Sequence, residues 1–281
     1  VIIPEPFYAN YNGFAQASDV KVIPVTSKIE DNFALPSIEL FEKKINNRTK
    51  AILICNPCNP TGYVYSKEEI INIANLAKKN DLFIIVDEVY REFIYSDLKH
   101  FSILEDETFF DNAILIDSTS KRYSLCGARI GFIVSKNSKF IETCMKFALA
   151  RLSPPTVALI AANNALKSDN KYIDNVIKEY SMRRKVLIGE LSKINNIEFS
   201  DPMGAFYSII KLPVKNAEEF AKFLLTDFSI NNESVMLAPA AGFYSSNDNG
   251  KDEVRIAFVL NSEKIKRAIN IINIGLKEYI G

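Results

Sequence analysis

The first part of the chain alternates short apolar runs with longer segments of mixed polarity. The runs that we predict to be strands are residues 1–3, 20–25, 51–54, 82–86, 113–116 and 130–134. Their apolar character is continuous, which is typical of strands covered by helices on both faces. The alternation therefore predicts βαβ units around a mostly parallel sheet.

One of the intervening segments carries the signals of a crossover helix. Residues 66–80 begin with Ser66, a residue type that caps helices, and Glu69 completes a capping box. Ile70 and Ile73 follow at helical spacing and mark an apolar face. We expect this helix to connect two strands and to pack on the sheet.

The second part of the chain has a different order of elements. A helical run ends near residue 165, a polar break follows at residues 167–170, and a long helix is predicted at residues 173–194. Further on we predict short strands and two more helices, at residues 197–199, 206–211, 235–237 and 254–258 for the strands and 217–228 and 262–279 for the helices. This order indicates a smaller α+β domain. We therefore predict a large α/β domain at residues 1–168 and a small domain at residues 169–281.

The charge composition argues against two classes of partner. The 281 residues include 34 basic and 34 acidic side chains, so the formal net charge is zero, and no lysine and arginine block suggests a phosphate-backbone groove or an anionic membrane surface. The apolar runs are also far shorter than the roughly 20 residues of a spanning helix. We expect neither nucleic acid nor a membrane as a partner, and no secretion signal is visible at Val1.

The cysteines and the single histidine limit metal and disulfide chemistry. Cys55 and Cys58 form a CxxC pair, but Cys126 and Cys144 lie far from each other in sequence and His100 is the only histidine. This set does not complete a tetrahedral zinc site, so we expect no bound metal. Four thiols are also too few for a disulfide scaffold, which favours a reducing compartment, the cytoplasm.

Short motifs with chemically active residues follow one another along the chain. They are VIIPEPFYANY (1–11), NPCNPTG (56–62), DEVY (87–90), STSKRYSLCGARIGF (118–132), GAFY (204–207) and VRIAFVL (254–260). In this order they resemble the fold-type I, class I/II aminotransferases, which use pyridoxal 5′-phosphate (PLP). The resemblance implies an α/β fold with a mostly parallel, seven-stranded type of sheet in the large domain and a smaller α+β domain after it.

The resemblance gives several polar residues a role in holding PLP. Lys121 resembles the lysine that forms the Schiff base and moves a proton between the substrate Cα and the cofactor, and Asp87 the carboxylate that pairs with the protonated ring nitrogen. Tyr90 and Asn59 resemble the donors to the phenolic oxygen of the cofactor. Taken alone, Lys121 would be a solvated surface charge and Asn59 an ordinary turn residue.

The phosphate and the ring of PLP have their own candidates. Arg129 resembles the phosphate-binding arginine of the family, and Ser118 and Ser120 resemble the hydroxyl donors to the same oxygens. A guanidinium suits this task because its planar fork donates two parallel hydrogen bonds. Tyr8 lies where the family places an aromatic ring against the pyridine face, and the alternative is a core tyrosine.

Two arginines, together with Asn59, are candidates for substrate binding. Arg255 in VRIAFVL resembles the arginine that binds the α-carboxylate of the substrate in a bidentate manner. Arg151 precedes a Pro-containing turn, as does the arginine that binds the distal carboxylate in some aspartate-preferring relatives, although it is not at the most familiar position. APAAGFY at residues 238–244 resembles a subgroup that acts on aspartate or aromatic amino acids, and this resemblance favours an acidic donor.

The function that the resemblance implies is transamination between an L-amino acid, with aspartate as the preferred prediction, and 2-oxoglutarate. Two alternatives stay open. A carbon–sulfur lyase would use the same site for elimination, and a PLP-sensing domain would bind the cofactor without catalysis. Their tests are the formation of pyruvate, ammonia and sulfide, and the presence of a DNA-binding module, respectively.

The resemblance also implies features outside the motifs. Family members are homodimers with active sites at the interface, so we expect a homodimer. The family's usual N-terminal stretch ahead of the PEPFY turn is absent from this sequence, and in relatives it supplies part of the phosphate site. We therefore expect this chain to bind PLP weakly and to turn over slowly.

Overall fold

A mostly parallel sheet forms the first part of the fold. The computed structural model describes residues 1–95, 97–246 and 248–281. Its first sheet has six strands in the order β2-β1-β3-β4-β5-β6. They are β1 (Ile2–Glu5), β2 (Ile23–Thr26), β3 (Ala51–Cys55), β4 (Phe83–Asp87), β5 (Ala113–Ser118) and β6 (Gly131–Val134). All neighbours are parallel except β5 and β6. The predicted α/β class is confirmed, although the described sheet has six strands rather than seven.

Helices connect the strands and cover the sheet. The α-helices of the described residues are α1 (Asn10–Ala17), α2 (Ile38–Glu42), α3 (Lys67–Lys79), α4 (Thr119–Arg122), α5 (Ser138–Arg151), α6 (Thr156–Leu166), α7 (Lys171–Leu191), α8 (Ala217–Thr226) and α9 (Ser262–Ile280). The predicted capping box of α3 is confirmed, because the Glu69 amide donates to Ser66 Oγ at 3.2 Å and the Ser66 amide donates to Glu69 Oε2 at 2.7 Å.

The core of the large sheet lies between its strands and α3. Ile52 and Ile84 of the central strands and Ile70 and Ile73 of α3 are all fully buried in one cluster. Each such side chain contributes about 1.5–3 kcal/mol of hydrophobic stabilisation. The predicted apolar face of the crossover helix is therefore the face that holds it on the sheet.

A second, antiparallel sheet follows later in the chain. Its order is β7-β8-β10-β9, formed by β7 (Glu198–Phe199), β8 (Tyr207–Lys211), β9 (Ala238–Pro239) and β10 (Glu253–Ala257). The strand predicted at residues 235–237 is wrong, since the pairing with β10 is made by the next two residues, Ala238 and Pro239. A proline is tolerated there because β9 is an edge strand, where a missing N–H is not needed.

The two sheets meet along a seam that requires glycine. The Gly204 amide donates to the Gly62 carbonyl at 2.8 Å. A Cβ on Gly204 would lie 2.7 Å from the Phe93 carbonyl oxygen and 2.6 Å from Val64 Cγ2, closer than such atoms can approach. Gly62 has φ +75°, a conformation that favours glycine. The seam joins the segments that carry the predicted site, while the domain division at residue 168 stays a prediction.

One side of the fold exposes large apolar side chains. They belong to β6, α5 and α6 and to the connection between these helices, and include Ile133, Phe147, Leu149, Leu152 and Val157, the last two 80% exposed. No residue of α5 is buried. Among the described residues, no helix is both long and apolar enough to cross a membrane.

Candidate active site

The predicted site residues lie where the parallel strands end. Asp87 is the last residue of β4, Asn59 follows β3, and Lys121 follows β5. Asp87 is in register with Cys55 and Ile116, and its carbonyl accepts from the Asn56 amide at 2.9 Å. Because carboxyl ends of neighbouring parallel strands share one edge of the sheet, these residues form a common site at the edge where α/β proteins bind ligands.

Asp87 is a carboxylate in an apolar setting with a phenolic partner. Tyr11 Oη donates to Asp87 Oδ2 at 2.6 Å, and the Val89 amide donates to Oδ1 at 3.3 Å. Burial raises the pKa of Asp87, and the hydrogen bond from Tyr11 opposes this shift. A buried carboxylate of this kind gains stability from a cation placed against it, such as a protonated pyridine nitrogen.

Tyr11 is a site residue that the sequence does not reveal as one. It lies on α1, one helical turn after Tyr8, and the two rings meet edge to face with centroids 5.6 Å apart. Burial raises the pKa of Tyr11 well above its ordinary range, so the phenol keeps its proton and serves as a donor. The only signal in the sequence is the spacing of the two tyrosines in PEPFYANY.

Lys121 lies on a one-turn helix facing aromatic rings. The Ser120 amide donates to Ser118 Oγ at 3.0 Å and so caps α4. Lys121 Nζ lies 5.8 Å from the centroid of the Tyr90 ring and 6.0 Å from that of Phe206. Tyr90 and Tyr207 share a hydrogen bond between their hydroxyls at 2.9 Å. Aromatic faces attract a cation and limit the access of water, so they suit an amine that must be held in place.

The phosphate candidates surround the turn at residue 130. Ser118 Oγ lies 2.8 Å from Ser120 Oγ and 2.9 Å from the Ile130 carbonyl oxygen, and its single proton can be donated to one of them at a time. Arg129 has a left-handed backbone, with φ 58°, and its Nη1 donates to the Cys126 carbonyl at 2.9 Å within its own turn. Its side chain is exposed. Hydroxyls and a guanidinium beside one turn form a donor set that fits a phosphate.

Arg255 is held between two aromatic rings and an amide. Its guanidinium carbon lies 4.6 Å from the Tyr207 ring and 4.8 Å from the Phe243 ring, and Nη1 donates to Asn59 Oδ1 at 3.1 Å. Among the described residues, its Nε is buried without a hydrogen-bond partner. A buried donor of this kind is costly unless an acceptor arrives, so the guanidinium is prepared for a carboxylate.

Arg151 is the predicted residue that stands apart from this group. It is the last residue of α5 and is exposed. No hydrogen bond or ion pair links it to the other candidates in the described parts of the chain. The remaining candidates are connected through ring contacts and hydrogen bonds or lie on the same turns.

The side chains present match the groups of PLP. An amine, a buried carboxylate for the ring nitrogen and phosphate donors are all found at one sheet edge. The cysteines beside this edge are free, and burial raises the pKa of the Cys55 and Cys58 thiols. Within residues 1–95, 97–246 and 248–281, no cluster of three or more histidine, cysteine or acidic side chains could hold a metal ion.

Comparison with known proteins gives one consistent family. Residues 1–272 match the model of the family described as aminotransferase class I and II. An aspartate aminotransferase of Pyrococcus abyssi is 32% identical, over 99% of this chain and 70% of its own length. Aromatic-amino-acid aminotransferase 2 of Thermococcus litoralis is 29% identical over 99% of this chain and 70% of its own. The crystal structure of an aromatic aminotransferase from Pyrococcus horikoshii superimposes with a TM-score of 0.87 at 29% identity, covering 99% of this chain and 73% of that one.

Proposed function

Since this chain belongs to the class I and II aminotransferase family, whose members use PLP, we propose that it transfers the amino group of an L-amino acid, aspartate in the first instance, to 2-oxoglutarate through Lys121. Amino acids and 2-oxo acids are the substrates of the family. In the proposed reaction, aspartate and 2-oxoglutarate give oxaloacetate and glutamate, so the amino group and two electrons pass from one carbon skeleton to the other.

The proposed roles follow from the surroundings of each side chain. Bound PLP supplies the electron sink for the pair of electrons left when the Cα–H bond breaks. Lys121 holds the cofactor, and its amine then carries the proton that leaves Cα. Asp87, in its apolar surroundings, favours a proton on the ring nitrogen. Tyr90 and Asn59 donate to the phenolic oxygen, and the Tyr8 ring stacks on the pyridine face.

The phosphate is proposed to bind at the turn around residue 130. Ser118 and Ser120 offer hydroxyls from the N-terminal end of α4, and Arg129 offers an exposed guanidinium from the neighbouring turn. Such charge-assisted hydrogen bonds are roughly twice as strong as neutral ones. They would fix the cofactor at one end while Asp87 fixes it at the other.

Substrate binding is proposed to depend on Arg255. Its guanidinium is already fixed by the Tyr207 and Phe243 rings and by Asn59, so little side-chain freedom is lost when the α-carboxylate binds. Holding the carboxylate orients the Cα–H bond relative to the cofactor. The observation that carries the proposal is this prepared guanidinium, linked to Lys121 through Tyr207 and Tyr90.

Aspartate is the proposed donor for two reasons. Relatives that are 29% to 32% identical to this chain are named aspartate aminotransferases. Arg151 also offers a guanidinium for a distal carboxylate if a second copy of the chain brings it to the site. Other relatives are named aromatic aminotransferases, so aromatic amino acids are the second candidate donors.

The experiment is a comparison of donors with the cofactor present. The chain is mixed with PLP and 2-oxoglutarate, and glutamate is measured with aspartate, phenylalanine, tyrosine or alanine as donor, beside Lys121→Ala as the control. Glutamate and oxaloacetate that depend on Lys121 support the proposal. Pyruvate and ammonia formed together with sulfide from cysteine, or with homocysteine from cystathionine, and without glutamate, would point to a lyase. PLP binding without any product would point to a sensing domain.

We also propose a homodimer, a cytoplasmic location and the domain division at residue 168. The exposed apolar side chains of α5 and α6 are consistent with a protein interface, and the free cysteines with a reducing compartment. Light scattering on the purified chain tests the first of these. A monomer at micromolar concentration would contradict it.

A further inference from the structure

The helix turn that carries Lys121 is too short to be stable alone. α4 spans only Thr119–Arg122, whereas isolated helices shorter than about 12–15 residues are marginal in water. Its N-terminal end is fixed by the Ile130 carbonyl, which accepts from the Thr119 amide at 3.2 Å, from Thr119 Oγ1 at 3.3 Å and from Ser118 Oγ at 2.9 Å. The position of the Lys121 amine therefore also depends on what fixes the other end.

Arg122 fixes the C-terminal end of α4 through two carboxylates. Its Nε lies 2.6 Å from Glu92 Oε1, and its Nη2 lies 2.7 Å from Asp117 Oδ2. The three side chains are mostly buried, with 12% of Arg122, 19% of Glu92 and 10% of Asp117 exposed. Asp117 belongs to β5, and Glu92 follows the DEVY motif. One guanidinium thus ties α4 to two separate segments.

One partner of Arg122 lies close in sequence to an aromatic ring that Lys121 faces. Glu92 lies two residues after Tyr90, whose ring is 5.8 Å from Lys121 Nζ. Lys121 lies directly before Arg122 in the chain. The ion pairs of Arg122 therefore fix the distance between α4, which carries Lys121, and the turn after β4, which carries Tyr90.

The charge balance of this cluster is uneven. Glu92 and Asp117 are two acids against one arginine, and Arg91 approaches Glu92 only at 3.8 Å. Burial raises the pKa of Glu92, while Arg122 opposes that shift. Asp117 also contributes to the raised pKa of Asp87, after the larger effect of burial. Removing Arg122 would take the paired cation from Asp117 and would leave Glu92 with only Arg91, at 3.8 Å.

We propose that Arg122, held between Glu92 and Asp117, is a positioning residue that keeps the Lys121 amine facing Tyr90 and Phe206. This inference rests on the proposed function of Lys121. Arg122 acts through the backbone of α4 and does not itself touch the cofactor. The guanidinium matters because it reaches two carboxylates at once, Asp117 through the hydrogen bond from Nη2 and Glu92 through the close ion pair of Nε, whereas an ammonium offers a single point charge.

The experiment measures how readily PLP is fixed on Lys121. The protein is incubated with PLP, reduced with borohydride and digested, and the fraction of Lys121 that carries the cofactor is compared by mass spectrometry with that of exposed lysines such as Lys139. The variants are Arg122→Met, Arg122→Lys and the neutral triple variant Glu92→Gln, Asp117→Asn, Arg122→Met. Arg267→Met is the matched control, because Arg267 forms an exposed ion pair with Glu233 at 3.4 Å.

Thermal unfolding without PLP is measured on the same proteins. The triple variant removes the charge imbalance together with the fork, so it separates stability from positioning. We expect Arg122→Met to unfold at a lower temperature and the triple variant to recover much of that loss. Labelling of Lys121 should fall by roughly tenfold or more in both variants, because a small displacement of a reacting group lowers its reaction rate by a large factor. The labelling of Lys121 in Arg122→Lys should lie between that of these two variants and that of the unchanged protein.

The outcomes distinguish this inference from the proposed function. If the unchanged protein is not labelled at Lys121, the proposed function fails and the inference with it. If the unchanged protein is labelled and Arg122→Met is labelled equally well, only the inference is overturned. Full labelling of the triple variant would likewise overturn it, because Arg122 would then act through charge balance alone.

Discussion

Tyr11→Phe tests the assignment of Asp87 as the buried carboxylate of the site. The substitution removes one hydroxyl, and with it the 2.6 Å hydrogen bond to Asp87 Oδ2. A hydrogen bond to a charged group contributes about 1.5–3 kcal/mol. In a chain of 281 residues, where the entropy of unfolding is about 2.1 cal/mol/K per residue, a loss of about 2 kcal/mol lowers the melting temperature by roughly 3–4 °C. We expect this loss in the cofactor-free protein near neutral pH.

The pH dependence gives the prediction its specific form. Burial raises the pKa of Asp87 above its ordinary value, so the ionised carboxylate lowers the stability of the folded state at neutral pH, and this cost disappears as the pH falls through the raised pKa. Without the opposing hydrogen bond from Tyr11, the pKa rises further. The stability difference between Tyr11→Phe and the unchanged protein should therefore be largest above both folded-state pKa values and should shrink on acidification.

The assay is thermal unfolding followed by circular dichroism from about pH 8 down to about pH 4, the ordinary pKa of an aspartate, so that any raised value falls within the range. Tyr279→Phe is the matched control. Tyr279 belongs to α9, and the centroid of its ring lies 5.2 Å from that of Phe223 of α8, so its hydroxyl is not a partner of the Asp87 carboxylate. A loss in Tyr11→Phe that is the same at every pH, or no loss at all, would refute the reasoning. In that case Asp87 would not depend on Tyr11 for its charge.

Three further predictions concern the substrate site and the seam. Arg255→Lys should lower kcat/KM by roughly 30-fold, or about 2 kcal/mol, because the ammonium lacks the bidentate fork; steady-state kinetics of the PLP-loaded protein check this, and an unchanged kcat/KM would contradict it. Arg151→Ala should lower the ratio of aspartate to alanine turnover if Arg151 binds the distal carboxylate, whereas an unchanged ratio would remove it from the site. Gly204→Ala should lower the free energy of unfolding, measured in urea, by about 1–3 kcal/mol or more, because its Cβ would lie 2.7 Å from the Phe93 carbonyl oxygen. An unchanged free energy of unfolding would mean that the seam can widen.

A buried face made some elements predictable, although the predicted strand β6 has no buried residue. α3 shows its apolar stripe and capping box in the sequence, and both are present in the fold. α1 and α5 are not predicted, because neither has a buried residue and the periodic signal is absent. β9, the third strand of the small sheet, lies at residues 238–239 and not at the predicted residues 235–237. The apolar run 235–237 looks like a strand, but the pairing is decided by the register with β10.

The site shows the same division between local and tertiary information. Lys121, Asp87 and Asn59 stand in motifs that are recognisable together, from their order along the chain. Tyr11 is not recognisable, because its partner lies 76 residues away and only the fold brings them together. The same holds for Arg122, whose two carboxylates follow from the packing of α4 on β5 and on the turn after β4.

The long sequence separation of the contacts in the site has a consequence for how the chain folds. Asn59 and Arg255 are 196 residues apart, and Tyr90 and Tyr207 are 117 residues apart. Contacts that close such long loops form slowly, because the entropy of loop closure is lost before they give any stability. We therefore expect the contact between Asn59 and Arg255, the pair proposed to bind the substrate, to form later than the local contacts of the helices. We expect substrate selection to be among the last properties that a refolding chain regains.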